Sequence, residues 1–204
     1  MHIAIAGNIG VGKTTLASLL AKHYNWETNY EDVDDNPYLD DFYRDMKAWA
    51  FNLQIFFLHS RLKQIMSIHD SGKNVIQDRT MYEDAYIFAP NLHSMDLMAT
   101  RDFETYFSLF RQVEQLLQPP DLLIYLKASI PSLVKRIQTK GREYENTIRI
   151  DYLESLNRRY DTWAKSYDLG KMLVIDTDSI NFIENPADLN KIINKIDAEL
   201  FGLF

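Results

Sequence analysis

The sequence predicts a three-layer α/β domain in which a parallel sheet of five strands is covered by helices on both faces. Three observations predict it. Short apolar runs recur at residues 2–6, 27–31, 74–77, 121–127 and 172–175. The segments between them are long enough for crossover helices, and helical periodicity is clearest over 16–24, 47–71, 101–117, 130–139, 150–167 and 186–200. Strands that alternate with helices in this way build a mostly parallel sheet buried on both sides. Finally, the first apolar run passes through a glycine-rich turn straight into a helix-like run, the junction at which such sheets bind ligands.

That turn reads GNIGVGKTT over residues 7–15 and fits G-x-x-x-x-G-K-[ST] with Gly7, Gly12, Lys13 and Thr14. Glycines let the chain turn tightly and aim its N–H groups inward. The positive end of the following helix reinforces the concave anion site they make. In this pattern Lys13 reaches the β- and γ-phosphates of a nucleotide and the Thr14 hydroxyl holds the Mg²⁺ between them. The backbone of Asn8, Ile9, Gly10, Val11 and Thr15 completes the nucleotide cradle, with the Thr15 side chain expected to pack.

At 204 residues with 46% hydrophobic and 13% aromatic content, the chain suits one core rather than two, so residues 1–204 are read as a single domain. With 29 acidic against 22 basic residues, the surface as a whole does not suit a nucleic-acid polymer. No run approaches a membrane span, and the first strand begins without a leader-like segment, which gives a cytoplasmic protein as the expectation. The absence of cysteine excludes disulfides and thiolate sites. His2, His23, His59, His69 and His93 are dispersed without metal-ligand spacing.

In parallel sheets, ligands bind beyond the carboxyl ends of the strands, which draws attention to Gly7 onward, Glu31, Asp78 and Asp176. Asp and Asn also begin turns at such places, so none of these carboxylates alone specifies chemistry. The stretch Gln77-Asp-Arg-Thr-Met-Tyr-Glu-Asp-Ala-Tyr-Ile-Phe-Ala89 adds an arginine and then a helix carrying Tyr and Asp. Here the chain resembles the deoxynucleoside kinases. The resemblance spans almost the whole chain, taking in the loop at Gly7, Glu31, Trp49-Ala-Phe-Asn-Leu-Gln54, the segment from Lys135 to Glu145, and the helix-like run from Ile150 to Trp163.

The resemblance implies a P-loop kinase fold and transfer of the γ-phosphate of ATP to the 5′-hydroxyl of a deoxynucleoside. Phosphoryl transfer needs a positioned triphosphate, Mg²⁺, a proton acceptor and cations over the transferring group. By resemblance Glu31 is the base. Asp78 stands where many relatives have Glu and helps hold Mg²⁺ together with Thr14, while Arg79 contacts the acceptor end and the transferring phosphate. Gln54, Arg61, Asp84 and Phe88 match the base pocket, and Tyr43 with Glu145 the grip on the sugar 3′-hydroxyl. Asn181 and Phe182 resemble the loop that sandwiches the donor base.

Between residues 128 and 142 there is no acidic side chain, yet Lys135, Arg136, Lys140 and Arg142 all fall there. A solvated basic helix face accounts for Lys135. The rest resembles the family's lid, about residues 135–147, which places Arg136 and Arg142 against the phosphates; Lys140 replaces an arginine and lacks its planar two-point contact.

The Gln54, Arg61 and Asp84 set suits a purine, with deoxyadenosine favoured. The apolar, aromatic stretch 49–66 exceeds what one buried face needs, and with the family's habit of pairing implies a homodimer. Two other classes share the loop. A nucleoside monophosphate kinase such as thymidylate kinase takes a phosphorylated acceptor and needs basic residues of its own at the acceptor site, whereas Glu31, Tyr43 and Glu145 favour an unphosphorylated sugar. A nucleotide-dependent switch hydrolyses its nucleotide with no acceptor at all.

Overall fold

The computed structural model describes residues 1–31, 36–140 and 148–202, with the side chain of Lys140 excepted. A five-stranded sheet runs in the order β2-β3-β1-β4-β5. The strands are β1 (His2–Gly7), β2 (Glu27–Asn29), β3 (Val75–Asp78), β4 (Leu122–Lys127) and β5 (Met172–Asp176). Every neighbouring pair is parallel, with Ile3 opposite both Ile76 and Leu122, Glu27 opposite Val75, and Leu126 opposite Ile175.

The alternation of side chains along each strand divides the interior into two cores. Ala4 and Ala6 of β1 and Leu123 and Tyr125 of β4 face one core, completed by Leu53, Phe57, Tyr106, Leu156 and Tyr160. Ile3 and Ile5 with Leu122, Ile124 and Leu126 face the other, against Leu16, Leu20, Ile192 and Ile196. The first core is roofed by α3 (Met46–Ser71), α6 (Thr100–Glu114) and α8 (Ile150–Ser166); the second by α1 (Lys13–Tyr24) and α9 (Pro186–Phe201). This is the expected three-layer domain.

Three local features differ from the sequence reading. Strand β2 stops at Asn29, two residues short of the end of the apolar run 27–31, which leaves Glu31 just past its carboxyl end. A short helix α2 (Leu39–Arg44) precedes α3, its Leu39 and Phe42 buried. After β3, α4 (Met81–Glu83), a π-helical turn (Asp84–Phe88) and α5 (Ala89–Ser94) form one continuous helical run. In the π turn the N–H of Ala89 reaches back five residues to the Asp84 carbonyl. Such turns concentrate at functional sites, and this one carries two of the expected pocket residues. The segment expected to form a lid starts within α7 (Ile130–Lys140), which follows β4, and its residues 141–147 lie outside the described residues. Among the described residues no helix is long and apolar enough to cross a membrane.

Candidate active site

The carboxyl ends of β1 and β3 meet at the loop between β1 and α1. Gly12 caps α1 with φ 105°, and Gly10 lies at φ 80°, both in the region that favours glycine. A Cβ on Gly7 would stand 2.6 Å from the Leu126 carbonyl oxygen, and one on Gly10 2.6 Å from Ile137 Cγ1. The glycines therefore answer two demands, a left-handed backbone and close approach to β4 and α7. Lys13 is buried in the cup the loop makes, donating to the carbonyls of Gly7 at 2.8 Å and Asn8 at 3.1 Å. Asn8 ties the loop to α8 by donating to the Leu153 carbonyl and to Asn157 Oδ1. Ile9 and Val11 pack into the two cores on either side, and Thr15 is half-buried.

Thr14 Oγ1 donates to Asp78 Oδ2 at 2.5 Å, and Asp78 Oδ1 is buried with no hydrogen-bond partner. A hydroxyl and a carboxylate with a spare oxygen fit Mg²⁺, which keeps several waters and takes only one or two protein ligands beside substrate phosphates. No group of three or more His, Asp or Glu side chains with metal-site geometry exists among the described residues. A full protein cage of the kind a structural cation uses is absent from them.

Beyond β2 and β3 lies a buried charge cluster. Glu31 Oε1 is 2.8 Å from Arg61 Nη2 and 2.9 Å from Arg79 Nε. Burial pushes the Glu31 carboxyl up, but Arg79, then Arg61 and Lys13, outweigh it and hold it at about 2. Arg61 lies with its Nε 3.6 Å from Asp84 Oδ2, and burial carries Asp84 up to about 7 against the pull of Arg61 and Arg79. Gln54, two turns before Arg61 on α3, is buried with its Oε1 unpartnered. Phe88 lies under the Arg79 guanidinium at 4.6 Å, and half-buried Tyr43 packs edge-on against Phe42. The structure thus gathers Glu31, Arg61, Arg79, Asp84 and Phe88 into one cluster beyond the carboxyl end of β3.

The described residues expected on the donor side are engaged within the protein. Arg136 on α7 donates to the Val11 carbonyl at 3.2 Å, to Thr177 Oγ1 at 2.8 Å and to the Thr177 carbonyl at 2.7 Å. In this arrangement it clasps the loop to the end of β5. Phe182 is buried, and its Cζ would lie 3.2 Å from a Cβ on Gly12. Its ring supports the loop from within the core. Asn181 uses its side chain locally, donating to Glu184 and accepting from the N–H groups of Ile183 and Glu184. Arg142 and Glu145 lie outside the described residues, as does the side chain of Lys140.

Sequence reasoning missed Glu83 and Tyr160. Glu83 is fully buried and accepts from the N–H of Gly7, from Thr80 and from the Tyr160 hydroxyl. The only signal was the Thr80-x-x-Glu83 spacing of a helix capping box. Tyr160 gave none, because its ring is recognisable as a site neighbour only once α8 packs on the sheet.

Residues 3–201 match the family model described as deoxynucleoside kinase. The deoxyadenosine/deoxycytidine kinase of Bacillus subtilis (strain 168) is 36% identical over 198 residues, covering 95% of this chain and 90% of that protein. The deoxyadenosine kinase of Dictyostelium discoideum is 43% identical over 211 residues, covering 98% and 85%. A solved structure of deoxyadenosine kinase from M. mycoides with products dCMP and a flexible dCDP superposes with a TM-score of 0.87 at 32% identity, covering 97% of this chain and 100% of that one.

Proposed function

This chain belongs to the deoxynucleoside kinase family, and on that premise we propose that its preferred acceptor is deoxyadenosine, phosphorylated on the 5′-hydroxyl in deoxynucleotide salvage. The observation that carries this reading is the buried set Gln54, Arg61 and Asp84, in which Gln54 Oε1 and Asp84 Oδ2 have no hydrogen-bond partner. Adenine sets a ring nitrogen acceptor beside an amine. One amide answers both, and a carboxylate answers the amine. Cytosine shows the same neighbouring pair, which makes deoxycytidine the nearest competitor. Guanine reverses the order on its pairing edge, and thymidine has no amine.

Glu31 accepts the hydroxyl proton. Held ionised between Arg61 and Arg79, it is available at any working pH, and so weak a base suits a loose transfer in which the proton leaves late. Arg79 steadies the acceptor oxygen and the transferring phosphate. Lys13 and the loop amides take the β- and γ-phosphates of ATP, with Arg136, Lys140, Arg142, Asn181 and Phe182 on the donor side. Thr14 and Asp78 would hold Mg²⁺, which would neutralise negative charge on the triphosphate. Tyr43 and Glu145 hold the 3′-hydroxyl. The enzyme acts as a homodimer in the cytoplasm, paired through α3, whose Met66 is 53% exposed, and the adjoining α6, whose Leu109 is 42% exposed.

The test is ADP release with Mg²⁺-ATP across the four deoxynucleosides. Deoxyadenosine should give the highest kcat/KM and thymidine the lowest. A preference for thymidine overturns the base assignment.

A further inference from the structure

The roles assigned above leave Glu83 unused, although it lies between the phosphate loop and Arg79 with no exposed surface. Its Oε1 accepts from the N–H of Gly7 at 3.0 Å and from the Tyr160 hydroxyl at 2.8 Å, and lies 3.8 Å from Arg79 Nη1. Its Oε2 accepts from the Thr80 N–H at 2.7 Å and the Thr80 hydroxyl at 3.2 Å. Every neighbour presents a hydrogen, so the position calls for a group with acceptors alone. A helix cap needs only the contacts to Thr80. The contacts to Gly7, Tyr160 and Arg79 exceed that task.

Arg79 is the group these contacts constrain. Its φ of 72° is one that non-glycine residues adopt only when their surroundings hold them there. On one side its N–H is fixed to the Ile5 carbonyl at 2.9 Å, and on the other the next peptide N–H, that of Thr80, is fixed to Glu83. Its guanidinium is reached by a second route. Arg79 Nη1 donates to the Tyr160 hydroxyl at 3.4 Å, which in turn donates to Glu83. Burial, with Glu83 beside it, pushes the Tyr160 hydroxyl far up, so it stays a donor. Tyr160 itself is locked by stacking on Tyr125 at 5.7 Å and 6° between planes.

We infer that Glu83 is a positioning residue for phosphoryl transfer: it joins the first amide of the phosphate loop to Arg79, directly through the backbone and through Tyr160. The inference rests on the proposed role of Arg79 at the transferring phosphate. An arginine displaced by an ångström loses most of its benefit to the transition state while barely affecting how the substrates bind.

Glu83→Gln keeps the shape but turns an NH₂ group toward donors. With deoxyadenosine and Mg²⁺-ATP it should lower kcat about tenfold or more, with both KM values within about threefold. A thermal melt checks that the variant is folded. Should it not fold, Tyr160→Phe carries the test, since it breaks the link to Arg79 without adding volume, and kcat should fall about threefold or more. A folded variant with kcat within twofold of wild type, or with its loss confined to KM, overturns the inference. Arg79→Lys separates the two levels. If it keeps wild-type kcat, the role of Arg79 fails and the inference with it. If it is slow while Glu83→Gln and Tyr160→Phe are not, the inference about Glu83 alone is wrong.

Discussion

The guanidinium of Arg61, wholly removed from solvent, donates to Glu31 Oε1 at 2.8 Å and brings its Nε within 3.6 Å of Asp84 Oδ2. One cation therefore stands between the proposed proton acceptor and the carboxylate proposed to read the base. The two carboxylates respond in opposite directions. Glu31, bracketed by two arginines, is pulled down to about 2, whereas burial dominates at Asp84 and lifts it to about 7. The difference lets one stay charged at neutral pH while the other changes state.

That difference predicts a pH-dependent base preference. Below about 7 Asp84 is protonated and offers a donor that the guanine oxygen accepts; above it the carboxylate is an acceptor only and favours the adenine amine. The ratio of kcat/KM for deoxyadenosine over deoxyguanosine should rise between pH 6 and pH 8 in the wild type. In Asp84→Ala it should be smaller and flat, because a site that hydrogen-bonds its substrate discriminates through the partner it loses. A flat wild-type ratio, or an unchanged ratio in the variant, removes Asp84 from the discriminating set.

Lys13 is buried and donates to two loop carbonyls. Lys13→Ala should lower kcat about 10²–10³-fold, since a preorganised charge at the transferring group acts in the transition state. Circular dichroism should show a folded protein. Near-normal turnover in that folded variant would remove the loop from the chemistry.

Phe182 separates two readings of the loop after β5. A residue buried against Gly12 and the second core predicts that Phe182→Ala loses about 3–5 kcal/mol of stability, read from denaturant unfolding, as large-to-small aromatic changes in a core do. A ring that only stacks on the donor base predicts an unchanged unfolding midpoint and a raised KM for ATP.

The exposed side chains of Met66 on α3 and Leu109 on α6 lie on helices packed against one another. Paired through them, the protein should have twice the chain mass in light scattering at micromolar concentration, and Met66→Glu combined with Leu109→Glu should halve it. A monomer mass for the wild type contradicts the dimer.

The sheet and the phosphate loop were legible because each is written in a contiguous stretch, as an apolar run or as glycines before Lys13. The grouping of Glu31, Arg79 and Asp84 was legible through a family pattern laid along the chain. What escaped depends on residues far apart in sequence. The Glu83 grip on Gly7 spans the loop and the helix after β3, the Arg136 clasp joins α7 to Val11 and Thr177, and the burial of Phe182 is decided by the loop it meets. The π turn at Asp84–Phe88 escaped for another reason: its spacing differs from an α-helix by one residue, within the tolerance of any apolar periodicity.

The central claim, that Glu31 takes the proton from the acceptor hydroxyl, is tested most directly by kcat for deoxyadenosine under saturating Mg²⁺-ATP in the wild type and in Glu31→Gln. The amide keeps the shape and gives up proton acceptance, so kcat should fall by about 10²–10⁴ in a folded protein. An unchanged kcat with only KM raised would contradict the account and make Glu31 a binding residue.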